Sequence, residues 1–419
     1  MASTPPASER PPPFAALPSA PTGQAFALLA GARVLDLTTS IAGPYATLLL
    51  ADMGAEIVKI ERPGAGDDTR AWGPPFLDGE SLWFIAVNRS KRSLTLDYAG
   101  DAGRTVLHEL VRHADVVIVN QVPRTQTKLG VDYATLAALK PDLVHVSLTG
   151  FGLTGARRER PCYDIIAEGY SSVMDITGEA VSDPQKIGTP AADLLSGMDA
   201  AYATVCALFD RQRTGRGHAI DVSMVESMTR FMSPRIVPYL GSGDVPKRSG
   251  AKDSVIAIYQ VFHTADEPIT LGLGNDNLWK RFWVAVGRES YGDDPRFKTN
   301  VDRRAVRGEI VAEIQRLLLT KLRAEWLAMF DAAGVPAGPI NRADQVTQDP
   351  DLIERGLFYK IDTDRGPVPQ VGLGIRIDGA AGYHRAPPPR LGADSGAVLD
   401  DWLGYDTAQI AALRDNKVI

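Results

Sequence analysis

The sequence predicts an α/β protein: a mostly parallel sheet with helices on both faces, and a smaller α+β domain after it. Three observations predict it. Short Val/Ile-rich runs alternate with helix-length segments from Arg33 to about Gly150, the pattern of parallel strands joined by crossover helices. A chain of 419 residues is longer than one typical domain and suits two. Beyond Gly250 the order changes to a hairpin followed by helices.

The elements follow in order. "RVLDL" reads as a strand, "GPYATLLLADMG" as a helix ended by Gly54, and "AEIVKIE" as a second strand. "SLTLDY", "DVVIVN" and "LVHVSLTG" are further strands, with the helix "AGRTVLHELVRHA" between the first two. "DLLSGMDAAYATVCALFDRQRTG" reads as one helix. Leu195, Met198, Tyr202, Val205 and Phe209 lie three or four residues apart on its apolar face, and Gly215 lies just past its end. "GSGDVPKRSG" is a linker. "VIAIYQVFHTADEPITLGLG" predicts a hairpin turning at "ADEP", with helices through "NLWKRFWVAVG" and "RGEIVAEIQRLLLTKLRAEWLAMF". A Pro/Gly-rich stretch from Gly338 leads to a short last helix, "DTAQIAALRDN".

The expected organisation is therefore a Pro-rich disordered tail over 1–24 and a large domain over 25–225. A linker over 226–250, a small domain over 251–340, and a return linker with a C-terminal segment over 341–419 complete it. With 44% hydrophobic and 23% charged residues the chain can bury a sizeable core. A net charge of -6 argues against nucleic acid as the main partner. No run of apolar residues reads as a membrane span, and the tail lacks the basic start and apolar core of a secretion signal. The two cysteines, Cys162 and Cys206, form neither a metal-ligand spacing nor a disulfide framework. These readings predict no metal, no membrane and a cytoplasmic location.

The first strand–loop–helix invites a dinucleotide reading, with Glu61 closing the second strand. Its loop is "TTSIAGP", however, without the glycines that let backbone approach a pyrophosphate. Basic residues recur at predicted strand ends: Lys59, Arg62, Arg70, Arg89, Lys91, Arg92 and Lys128. Ligands of open α/β sheets bind at the carboxyl ends of the strands, so cations there suit a phosphorylated ligand. In "GTPAADLLSGMDAAYA", Asp193 opens a helix whose Ser196, Gly197, Ala200 and Ala203 keep one side small. Asp193 has two readings: a helix cap, or a carboxylate nucleophile ionised at neutral pH.

"GARVLDLTTSIAGPYATLLLADMGAEIVKIERPGAGDDTRAWGPPF", "NRSKRSLTLD", "LTGFG", "YDIIAEGYSSVMDITG", "PAADLLSG" and "TGRGHAIDVSMVES" together resemble the class III CoA-transferases (CaiB/BaiF type). That group holds formyl-CoA transferase and carnitine CoA-transferase. The resemblance runs from about Gly31 to "VPAGPIN" and "APPPRLG", and "ERPGAGDDTRAWGPPF" looks nearest to enzymes that handle succinyl-CoA and other dicarboxylic acids. It implies a Rossmann-like large domain, an interlocked homodimer, and coenzyme A as substrate and product with no permanently bound cofactor.

The resemblance also implies site residues. Asp193 is the nucleophile, passing through an acyl-aspartyl anhydride and an aspartyl-CoA thioester on the way to a small carboxylic acid acceptor. Arg62, Leu96, Asn120 and Lys128 meet the nucleotide end of CoA. Ile41 and Ala42 line the thioester site, and Met224 lies near the pantetheine. Gly272 and Gly274 stand near the place of the family's glycine-rich lid. Ile41 replaces the Gln of formyl-CoA transferase, which argues against formate or oxalate chemistry. The related α-methylacyl-CoA racemases have a His-Asp pair where this chain has Tyr163 and Asp164, and tyrosine is a poor base at neutral pH. A racemase-like enzyme and a non-catalytic CoA-binding protein are the alternative readings. Arg70 and Arg89 are the candidates for a substrate's far carboxylate.

Overall fold

The computed structural model describes residues 12–20, 26–383 and 386–419. It divides into two compact units. The first comprises Met1–Val173, Ile187–Val237 and Thr347–Ile419, and the second Met174–Lys186 and Pro238–Val346.

The first unit is built on six parallel strands. They are β1 (Arg33–Asp36), β2 (Glu56–Glu61), β3 (Lys91–Thr95), β4 (Val116–Val119), β5 (Val144–Thr149) and β6 (His218–Ser223). Their spatial order is β3-β2-β1-β4-β5-β6. This is the Rossmann-like order, and it reverses direction between β1 and β4. β6 was not expected from the sequence: its burial alternates along the first four residues, so it lacks the apolar runs that mark the inner strands. β4 is apolar throughout because both faces are covered, while β1, β2 and β5 are buried along nearly their whole length with Asp36, Lys59 and His145 among their residues. Leu35, Val58, Leu94, Val117 and Val119 pack with Val106, Leu107, Leu110 and Val111 of the helix α2 (Asp101–His113). Val34, Ile57, Val116 and Ile118 point the other way along their strands. They are buried on the side of α1 (Ala42–Asp52) and α4 (Ala191–Thr214), with α3 (Asp164–Tyr170) and α5 (Met224–Phe231) beside α4.

The long helix α4 turns opposite to expectation. Met198, Tyr202, Val205 and Phe209 are 51%, 73%, 40% and 65% exposed, while Ser196, Gly197, Ala200 and Thr204 are buried. Close approach decides this: a Cβ on Gly197 would stand 2.6 Å from the Ala42 carbonyl oxygen of α1, so only the small side admits the neighbouring backbone. The same Ala-rich helix is, by length and composition alone, apolar enough to cross a membrane, which corrects the expectation that no such stretch exists. In this fold it packs on α1, α5 and β5.

The second unit has a three-stranded antiparallel sheet of β7 (Tyr259–Phe262), β8 (Ile269–Gly272) and β9 (Ala337–Pro339). β7 and β8 form the expected hairpin. The helices α6 (Asp276–Ala285), α7 (Arg307–Leu318) and α8 (Arg323–Ala332) close over Trp279, Phe282, Trp283, Phe297 and Phe330. The stretch expected to be helical from Arg307 to Phe330 forms two helices, parted between Leu318 and Arg323.

Other differences lie in the connections. Residues 226–250, expected as a linker, are helical over Met224–Phe231 and Ser233–Ser242. The return segment contains, besides the expected last helix α10 (Thr407–Asp415), a hairpin of β10 (Phe358–Thr363) and β11 (Gly366–Val371) and the helix α9 (Ser395–Leu403). Of the tail expected to be disordered, residues 1–11 and 21–24 lie outside the described residues. Residues 12–20 are ordered instead: Ala20 N–H donates to the Lys360 carbonyl, and Lys360 Nζ donates to the Ala15 carbonyl.

Candidate active site

β1 ends in the loop "LTTSI" and β4 in "NQV", on either side of the point where strand order reverses. A crevice is expected there. A cavity of about 280 Å³ fills it, walled by Thr39, Ser40 and Ala42, by Asn120 and Gln121, by Thr149 and Gly150 at the end of β5, and by Tyr163, Asp193 and Met224. A second cavity of about 320 Å³ shares Thr39, Asp68 and Gln121 with it and reaches Arg62.

The loop between β1 and α1 is tied down on every side. Asn120 Nδ2 donates to the Thr39 carbonyl at 2.8 Å, and its Oδ1 accepts the Thr39 N–H at 3.2 Å. Asp67 Oδ1 accepts the N–H of Ser40, which sits at φ 69°. Lys59 Nζ, fully buried, donates to the Thr38 carbonyl and pairs with Asp67 at 2.8 Å. Beneath it Asp36 is buried between Lys59 and Lys91. Burial alone would raise its pKa, but the two ammonium groups and the hydroxyls of Thr38 and Thr47 hold it far below the usual range. Ile41 then caps α1 through its backbone with no side-chain cap, leaving the Ala42 and Gly43 N–H groups without intrahelical acceptors.

Asp193 is not the cap of α4. The helix begins at Ala191 after Pro190, and Asp193 is its third residue. The capping carboxylate comes from α3: Asp164 Oδ1 accepts the N–H of Ala192 at 2.8 Å and of Asp193 at 3.4 Å. The Asp193 carboxyl group is thereby not engaged in capping, and a second carboxyl group, that of Asp164, stands beside it. Burial, and then the charge of Asp164, push its pKa up to about 7, so it is not the freely ionised carboxylate that the sequence suggested. Burial and the same two carboxylates push the thiol of Cys162, also on the cavity wall, up to about 11.

The structure brings Ala42, Asn120, Tyr163, Asp193 and Met224 to one cavity and places Arg62 at the adjoining one. Other expected residues are elsewhere. Ile41 is buried and does not line the cavity, and the Leu96 side chain is fully buried in the core against α2. Lys128 is exposed, and its neighbours Thr125 and Leu129 line the second cavity instead. Gly272 and Gly274 belong to the second unit.

Most of the expected cationic cluster is spent inside the fold. Arg70 forks onto Glu61 through Nε and Nη2, both at 2.8 Å, so Glu61 has no role toward a ribose. Arg89 forks onto Asp52 at 3.0 and 2.6 Å and is 3% exposed. Arg92 pairs with Glu56 and Asp401, and Lys91 with Asp36. Arg62 is on the surface, paired with Asp68 at 2.5 Å. Arg70 and Arg89 are therefore withdrawn as carboxylate binders. Sequence reasoning passed over Thr39, Ser40, Thr149, Gly150 and Arg160 on the wall. The rule that strand ends carry ligands would have found the first four; Arg160, in the loop beyond, had no such signal.

Residues 29–395 match the sequence model of CoA-transferase family III. Succinyl-CoA:glutarate CoA-transferase of Mus musculus is 35% identical over 392 residues, 93% of this chain and 90% of that protein. Succinate–glutarate CoA-transferase of Agrobacterium fabrum is 38% identical over 378 residues, 88% of this chain and 94% of that one. A solved CaiB/BaiF family protein from Brucella suis, 38% identical, matches with a TM-score of 0.79 over 89% of this chain and 99% of that chain. The chain belongs to CoA-transferase family III and is a CoA-transferase.

Proposed function

We propose that this enzyme moves CoA from succinyl-CoA or another dicarboxylyl-CoA to a small dicarboxylic acid through covalent intermediates on Asp193. The observation that carries the reading is Asp193 itself: a carboxylate on the cavity wall, destabilised by burial and by Asp164. A Asp193 oxygen attacks the thioester carbonyl; the C–S bond breaks and CoA leaves as thiolate. The thiolate attacks the Asp193 carbonyl of the anhydride and expels the donor's acid. The acceptor carboxylate attacks the aspartyl-CoA thioester, giving a second anhydride and thiolate. Attack of that thiolate on the acceptor's carbonyl frees Asp193. Each acylation removes a buried negative charge from beside Asp164, so the environment favours the covalent states. The Ala42 and Gly43 N–H groups suit the oxyanions. The substrate class is supported by the relatives named for succinyl-CoA and glutarate.

Arg62, which would exchange Asp68 for a phosphate, and the two cavities, which share Thr39, Asp68 and Gln121, suit an extended CoA. A second copy of the chain is the occupant we propose for the exposed stripe Met198, Tyr202, Val205 and Phe209, an apolar face too large to leave in water.

The acceptor test uses succinyl-CoA with glutarate, succinate, oxalate, acetate and butyrate in deuterated water. Glutarate should yield a new thioester with no α-deuterium in the recovered acyl-CoA. Acetate or butyrate working as well as glutarate would remove the dicarboxylate preference. Deuterium uptake without an acceptor would instead place the enzyme with the racemases, which must form an enolate. On this reading kcat/KM rises with pH up to about 7 and then levels, because only ionised Asp193 attacks. Asp164→Asn removes the like charge and lowers the pKa of Asp193, so the acid limb should move to lower pH. A limb that stays in place in the variant would deny Asp164 this influence.

A further inference from the structure

We infer that Arg160 holds the far carboxylate of the dicarboxylic substrate and is the residue that separates dicarboxylic from monocarboxylic acids. This rests on the proposed role of Asp193. Arg160 is the one Lys, Arg or His among the described residues lining the cavity of Asp193. The same wall carries the carboxylates of Asp193 and Asp68. Asp68 is already paired with Arg62, so the charge left uncompensated on this wall is that of Asp193. A substrate that brings one carboxylate to the reaction and a second alongside it adds negative charge beside it, and needs a cation within a few carbon atoms of Asp193.

Arg160 is free to serve. Its neighbours are engaged: Arg157 stacks on the Tyr170 ring at 4.7 Å, and Arg158 pairs with Glu159 at 3.7 Å. The Arg160 guanidinium meets only the Tyr170 hydroxyl among the described residues, through Nη1 at 3.4 Å, and the residue is exposed. Most of its five donors are thus available for a two-pronged grip on a carboxylate. The loop that presents it is anchored. Gly152 N–H donates to Thr149 Oγ1, Leu153 N–H to Asp221 Oδ2, and Glu159 accepts the Arg124 N–H. Arg160 thus stands on a fixed base, whereas Arg70 and Arg89 are locked in buried pairs.

The experiment compares the full-length enzyme with Arg160→Ala and Arg160→Lys, using succinyl-CoA as donor and glutarate or butyrate as acceptor, with free CoA binding measured separately. Arg160→Ala should raise KM for glutarate at least tenfold and erode the preference over butyrate, with kcat within a few-fold and CoA affinity unchanged. A grip on a non-reacting group is similar in ground and transition states, so it appears in KM. Arg160→Lys should recover part of the loss, keeping the charge without the fork. The inference is overturned if glutarate KM is unchanged, or if CoA affinity falls as much as glutarate KM rises, which would put Arg160 on a CoA phosphate. A wild-type enzyme that takes butyrate as readily as glutarate would overturn the dicarboxylate reading itself, and that arm is read before any variant.

Discussion

Asp193→Ala is expected to lower kcat by at least about 10⁴-fold, since removing a covalent nucleophile leaves only binding and oxyanion contacts. Wild-type enzyme turning over succinyl-CoA with hydroxylamine should carry a modification on Asp193, read by peptide mass, and the variant should carry none. Activity of the Ala variant within a hundredfold of wild type would end the proposed mechanism. Stability supplies a second readout with a definite sign. An acid whose pKa is raised by folding binds its proton more tightly when folded. Its share of stability is intact below the ordinary value of 3.8 and is lost as pH rises to about 7. Asp193→Asn should therefore melt higher than wild type at pH 8 and no higher at pH 4. An unchanged or lower Tm at pH 8 would mean that the carboxylate carries no burial penalty.

Gly197→Val is expected to damage both fold and catalysis. Its first added carbon would meet the Ala42 carbonyl oxygen at 2.6 Å, and backbone cannot swing aside as a side chain does. Overpacking of this kind typically costs about 1–3 kcal/mol. Here the yielding element is the start of α1, which walls the cavity of Asp193. A clear fall in Tm should come with a loss of more than about tenfold in kcat/KM, because small misplacements at a reacting centre are expensive. A variant with wild-type Tm and rate would show that α1 and α4 are not in close contact.

β4 was legible because continuous burial on both faces writes an unbroken apolar run, "DVVIVN", and β1, β2 and β5 because short Val, Ile and Leu runs remain around their buried polar residues. β6 was not, because at the sheet edge its burial alternates, and its polar residues hide it. The helix α4 was legible as a helix but not in its orientation: hydrophobicity ranks Tyr202 and Phe209 above Gly197 and Ala200, while close helix packing selects the small residues. Asp193 was visible through its motif. Its altered acidity was not, since Asp164 is 29 positions away and meets it only in the folded chain. The basic residues misled for a related reason. Arg70, Arg89 and Lys91 look like ligands for phosphate until their acidic partners are brought to them by the fold.

The first unit has a further consequence for how the chain is made. Its core joins Leu35, Val58 and Leu94 to Val398, Leu399, Trp402, Ile410 and Val418 from α9, α10 and the last residues. Asp97 N–H likewise donates to the Val418 carbonyl. The second unit has received all of its residues once Val346 is made. Emerging from the ribosome at about 5–20 residues per second, the chain completes the later-placed unit before the earlier one. Until α9, α10 and the residues after them arrive, the sheet on which α4 packs has part of its apolar face open to water. The order of synthesis and the order of completion are inverted.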